Sequence, residues 1–219
     1  MVLYGVYLYL SGLSLRRVSA ALTPFVRRCW TAVWLWVQEL GGAMDGLFSH
    51  RAVEAFVDET QVRVHGGAWW LWIAYDIRSR AILSLEVSAI RCGLTAYRFL
   101  RRLRLENRVR TVYTDGGPWY PWAAGQARLR HVVVSLEECN PWQRAIETIK
   151  DRLEVFDVHF PCRCHGKRHI KSLLSLYKAY YNHIRHHITL GGPPTPMKGE
   201  TEWLRFKNLI KKEMPNALN

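Results

Sequence analysis

A change of hydrophobic period near Glu54 constrains this chain more than any other feature. From Leu10 to Leu40 apolar residues recur at helical spacing, whereas Glu54 to Val64 alternates and sets Phe56, Asp58, Thr60 and Val62 on one side of a strand. His65-Gly66-Gly67 turns the chain, AWWLWIAYD returns as a second strand, and Arg78-Ser79-Arg80 turns it again into a third, AILSLEVSA. Thr95 begins a basic helix, TAYRFLRRLRLE. VRTVYTD then reads as a fourth strand closed by Gly116-Gly117-Pro118, HVVVS as a fifth, and NPWQRAIETIKDR as the start of another basic helix. Three strands in a meander followed by alternating helix and strand predict an α/β fold, a mixed five-stranded sheet with helices on both faces.

Ahead of the sheet, Ser14 is placed to cap a helix carrying Leu15, Val18, Ala21 and Leu22, which Thr23-Pro24 ends. A second helix is expected from about Phe25, burying Trp30, Val33, Trp34 and Val37, with Arg27 and Arg28 at its N-terminal end. Two short helices with arginines at the start of the second describe a helix-turn-helix, whose recognition helix enters a major groove; the plainer alternative is a helical hairpin used for packing.

Lysine and arginine number 31 against 18 acidic residues, a formal charge of +13, which points to a polyanionic partner and first to double-stranded DNA. VLYGVYLYL and CWTAVWLWV are too short to cross a bilayer, so no membrane partner is expected. The five cysteines are odd in number and scattered, which fits a reducing cytoplasm, with nucleoid association when DNA is bound. Nothing in the sequence calls for an organic cofactor.

Two carboxylates stand out. Asp58 interrupts a strand of apolar and neutral residues, where an ionised side chain is costly unless compensated, and Asp115 lies where a strand opens into a glycine-rich turn. If the first and fourth strands are neighbours, both acids meet at one spot. Hard oxygen ligands with open positions suit magnesium or manganese in a two-metal site for phosphodiester chemistry. Glu59 points to the other side of its strand, and Asp76 is placed to cap the turn at Arg78-Ser79-Arg80.

FVDET, VYTDGGPWY, and TIKDR followed by VFDVHFPC together resemble the ribonuclease H-like core of prokaryotic insertion-sequence transposases of the DDE type, and YYNHIRHHITLGGPPTP resembles the segment that closes it. The resemblance runs from the candidate helix-turn-helix to Pro196. With the helix periodicity, the glycine-rich stretch after Leu40 and the apolar spacing from Glu202 to Met214, the chain divides into an expected helix-turn-helix module over 1–41, a linker over 42–51, the catalytic core that the resemblance implies over 52–197 and a helical tail over 198–219. The resemblance also implies cleavage and strand transfer at element ends, with Asp58 and Asp115 as the first two catalytic acids and metal ligands, and assembly as a homo-oligomer, dimer or larger, on element-end and target DNA.

In the family's local register the third acid position is held by Gln143, while Glu147 lies one helical turn further on, about 6 Å along the axis. Glu147 is the candidate third acid if the helix is shifted. With Gln143 there, a neutral carbonyl replaces an anionic ligand and catalysis is impaired, and the alternative function is a catalytically inactive DNA-binding protein derived from a transposase. A metal-dependent nuclease of the same fold is the more distant alternative. Lys150 and Arg152 follow on the same helix as candidate contacts to DNA phosphates. CRCHGKRH suits a solvated loop better than a zinc knuckle, because its C-x-C spacing is tight and no second pair accompanies it.

Overall fold

Residues 1–48, 50–64, 67–135 and 166–214, with Ile146 and Ile149, are described by the computed structural model. Their elements in chain order are α1 (Val2–Leu10), α2 (Leu15–Leu22), α3 (Trp30–Ala43), β1 (Glu54–Val64), β2 (Gly67–Asp76), β3 (Ile82–Ser88), α4 (Gly93–Asn107), β4 (Thr111–Thr114), α5 (Tyr120–Ala127), β5 (Arg130–Val133), α6 (Gly166–His183) and α7 (Glu202–Glu213), with a 3-10 turn at Ile188–Leu190. They fall into two compact units, one spanning Ser49–Phe160 and the other joining Met1–Phe48 to Pro161–Asn219.

In the sheet-containing unit the alternating strand β1 pairs antiparallel with β2, which pairs antiparallel with β3. Helix α4 then carries the chain to β4, parallel to β1, and α5 carries it to β5, parallel to β4. The order β3-β2-β1-β4-β5 is the mixed α/β sheet expected. One core lies between the sheet and α4 with α5: Ala55 and Val57 of β1, Trp72 and Ala74 of β2, Phe99, Leu100 and Leu103 of α4, and Ala123, Ala124 and Ala127 of α5 belong to a single buried cluster. Helix α5 does not stand out in the sequence, because its opening Trp119-Tyr120-Pro121 follows two glycines and a proline. Pro121 nevertheless sits in its first turn, where a missing amide hydrogen costs nothing.

Asp76 caps the turn after β2. It accepts hydrogen bonds from the Arg78 and Ser79 amides and the Ser79 hydroxyl, and its Oδ2 lies 3.0 Å from His50 Nε2. Burial opposes its ionisation, yet the Ser79 and His50 bonds and the two amides prevail and hold its carboxyl below the usual range.

The other unit is helical. Ser14 caps α2 by accepting from the Arg17 amide. The structure corrects the start of the next helix, which begins at Trp30 and not near Phe25. The Phe25 and Val26 amides still bond back to the Leu22 carbonyl and so finish α2, while the Ser19 hydroxyl holds the Arg28 carbonyl. Arg27 and Arg28 therefore lie exposed in the connecting segment, ahead of the helix they were expected to open. Trp30 keeps 38% of its surface exposed, whereas Val33, Trp34 and Val37 are buried as their spacing predicts. The apolar N-terminal run forms α1, and the Tyr7 and Tyr180 hydroxyls both approach Glu202 Oε2, at 3.3 and 3.4 Å. Among the described residues no helix is long and apolar enough to cross a membrane.

Helix α3 runs on through Gly41 and Gly42 to Ala43, past the boundary that the two glycines suggest. The reason is close packing: a Cβ on Gly41 would fall 2.1 Å from the Ser172 carbonyl oxygen of α6. Glycine here permits a backbone contact that no side chain allows. Gly41→Ala is therefore expected to lower stability by about 1–3 kcal/mol through overpacking, read as a shift of the urea midpoint with circular dichroism.

Candidate active site

Parallel pairing of β1 with β4 brings the two conspicuous aspartates to one edge. The register sets Ala55 beside Val112 and Phe56 beside Tyr113, and two residues further along each chain stand Asp58 and Asp115. Strands in a sheet lie about 4.8 Å apart, so residues at matching steps are neighbours. Asp58 Oδ1 accepts from the Glu59 amide at 2.7 Å, and Asp115 Oδ1 accepts from the Gly117 amide at 3.2 Å. That second bond needs the sharp turn at Gly116, whose φ of +93° suits glycine.

The electrostatics record the proximity. Burial pushes the Asp58 carboxyl up to about 7, its bond to the Glu59 amide pulls the other way, and the charges of Asp115 and Glu59 raise it further. Among the described residues, this half-buried carboxylate facing a second one has no cationic side chain hydrogen-bonded to it.

Behind it lies a network that single-sequence reading missed. The Glu59 side chain is only 4% exposed. Its carboxylate accepts from the Tyr120 hydroxyl at the start of α5 and lies 3.5 Å from Arg91 Nη1. The Arg91 guanidinium sits between two indole rings, 3.8 Å from the Trp70 centroid and 4.3 Å from that of Trp119. Burial, and then the charge of Glu59, holds Tyr120 far above the ordinary phenol range, so it stays a donor. On the next strand Thr114 Oγ1 accepts from the Gly116 amide and lies 2.8 Å from Nε2 of His131, whose pKa burial lowers. These residues act across 17 to 61 positions of sequence; the only hint was a carboxylate beside Asp58 facing a core side.

Residues 52–183 match the family model of the DDE domain of IS240-type transposases. The chain belongs to the DDE transposase family. Its sheet is that of the ribonuclease H-like superfamily, and a transposase-type function follows from the family. One relative is the uncharacterized protein MJ0017 of Methanocaldococcus jannaschii, 26% identical over 161 residues, which cover 73% of this chain and 75% of the relative. Similar solved structures include the catalytic core domain of BIV integrase (18% identity, TM-score 0.48, 65% of this chain and 91% of that one). The HTLV-2 integrase catalytic core domain in complex with magnesium is another (16% identity, TM-score 0.48, 72% and 97%).

Among the described residues of this DDE domain no group of three or more His, Cys, Asp or Glu is arranged to hold a metal. Gln143, Glu147, Lys150 and Arg152 lie outside the described residues, as do Cys162, Cys164 and His165; Ile146 and Ile149 are described and buried.

The raised Asp58 pKa makes stability depend on pH. Because the folded value lies above the unfolded one, folding takes up a proton; the benefit is full below about pH 4 and is lost as pH rises through 7. Asp58→Asn, which never ionises, is expected to exceed the parent in stability by about 2 kcal/mol at pH 8, with the gap closing by pH 4 in urea denaturation. Tyr120→Phe is expected to cost about 1–3 kcal/mol at neutral pH, since it leaves the buried Glu59 carboxylate short of a donor.

Proposed function

We propose that this DDE transposase-family chain cleaves and joins DNA at the ends of an insertion sequence, in a divalent-metal-dependent phosphoryl transfer with Asp58 and Asp115 as the first two ligands. The observation that carries this reading is the pairing of those two carboxylates on adjacent parallel strands, with Asp58 pushed up to about 7. The donor set fits a hard cation: two carboxylates with no cationic side chain hydrogen-bonded to either among the described residues. Magnesium or manganese, when bound, supplies Lewis-acid stabilisation of charge on phosphodiester oxygens.

The chain's own residues do the rest. Asp58 releases its proton on becoming a ligand, and the Gly117 amide holds Asp115 in place. The Arg91–Glu59–Tyr120 network fixes β1 against the start of α5 and so against the turn that carries Asp115. Gln143 or Glu147 would supply the third ligand, while Lys150 and Arg152 in the core and the exposed Arg27 and Arg28 near the N-terminal helices would engage DNA phosphates. Residues 1–41 serve as the helix-turn-helix module, and the chain works as a homo-oligomer on element-end and target DNA.

Gln143 at the usual glutamate position favours a second reading, a transposase-derived DNA-binding protein that no longer cuts. Calorimetry with Mn²⁺ separates the two. A competent site binds the ion with release of nearly one proton per ion at pH 6 and little at pH 8, because Asp58 is protonated at the lower pH; Asp58→Ala abolishes the response. Duplexes carrying any short inverted repeats found in the DNA flanking the gene are expected to be nicked by the parent and faster by Gln143→Glu. DNA binding with neither ion uptake nor nicking selects the inactive protein, and nicking indifferent to the repeat sequence indicates an ordinary nuclease.

A further inference from the structure

The sheet topology sends two helix-to-strand connections to the end of the sheet opposite Asp115. Helix α4 ends at Asn107 and feeds β4, and α5 ends at Ala127 and feeds β5. Both connections are rich in arginine. Arg104, Arg108, Arg110, Arg128 and Arg130 are all exposed there. Arg110 and Asp115 stand at opposite ends of β4, about 16 Å apart along an extended strand.

Three features set this cluster apart from an ordinary solvated face. First, its backbone is fixed. The Arg130 amide bonds to the Arg110 carbonyl at 2.9 Å, the Arg110 amide bonds to the Val53 carbonyl at 2.9 Å, and Arg130 lies in register with Thr111. Second, Arg108 and Arg128 adopt left-handed backbone conformations, φ 62° and 56°, at helix ends where glycine or asparagine is the unstrained choice. Third, the charge is unrelieved. Among the described residues no carboxylate pairs with any of the five; nearby Glu106 pairs with Arg102 at 3.4 Å and Glu54 accepts from the Tyr113 hydroxyl at 3.1 Å. Arg104 alone has a structural use, donating to the Ala127 carbonyl at 3.1 Å. Like charges on adjacent strands repel, so the cluster costs folding stability unless an anion covers it.

The geometry points to this end of the sheet as a phosphate-backbone contact for duplex DNA, separate from the acidic pair and independent of base sequence. It rests on the DNA-binding function proposed above. It adds a place on the core where the duplex is held by charge alone, so that the binding energy drawn from it disappears with salt.

The test is fluorescence anisotropy of the full chain on a labelled random-sequence duplex, with KCl varied from 50 to 200 mM. Arg108→Gly and Arg128→Gly remove charge where glycine suits the backbone, and Arg110→Gln with Arg130→Gln removes it from the strand starts, so the quadruple variant keeps the fold. A control variant loses four charges elsewhere: Lys198, Lys207, Lys211 and Lys212, all exposed, changed to Gln. Each phosphate contact contributes about 0.9 to the slope of log affinity against log salt. The arginine variant is expected to lose about 3 to 4 from that slope, so the parent's extra loss of affinity across the salt range is on the order of 10²-fold, while the control changes much less. Equal slopes for parent and arginine variant, or equal losses in both variants, overturn the assignment while leaving DNA binding intact. A parent that binds no duplex at all overturns the function on which it rests.

Discussion

Parallel pairing of β1 with β4 is the constraint on which the site depends. An antiparallel neighbour would send the end of β4 away from Asp58. Because the strands run together, the turn after β4 opens beside the middle of β1, and two side chains 57 positions apart in sequence share one edge. The crossover through α4 makes the pairing possible, and the burial of Phe99, Leu100 and Leu103 against the sheet holds that crossover down.

The cost of that convergence shows in how the surroundings treat negative charge. Three carboxyl groups, Asp58, Glu59 and Asp115, act on one another, and the protein answers differently on the two faces of β1. On the core side Glu59 has a hydroxyl, a guanidinium and a pair of indoles organised around it. On the other side Asp58 has one backbone amide and, among the described residues, no cationic side chain hydrogen-bonded to it. Charge on the core face is thus neutralised internally, while among the described residues the charge on the other face is left open.

Much of this was legible in the sequence. Asp58 announced itself as a carboxylate among apolar strand positions, Asp115 by the glycines behind it, and Ser14 by its place before an apolar helical run, because each signal is local. What stayed hidden depends on tertiary contact. Nothing near Arg91 says that Trp70 and Trp119 will enclose it, and nothing near Gly41 says that the backbone of α6 will rest on it. The start of α3 was misplaced because Pro24 looked like a clean break, whereas the amides after it still bond into α2. The DDE motifs identified the family through their order along the chain, more than any single residue did.

The helical unit is assembled from two separate stretches of sequence, with the sheet unit inserted between Phe48 and Pro161. Synthesis runs from the N-terminus, so α1 to α3 leave the ribosome long before α6 and α7, the helices that cover their apolar faces. The sheet strands, by contrast, emerge consecutively and meet their neighbours within a few dozen residues. Vectorial synthesis therefore lets the sheet pair while α1 to α3, which share the Val18, Leu22 and Val33 cluster, still lack α6 and α7, a window in which chaperone capture competes with completion of the fold.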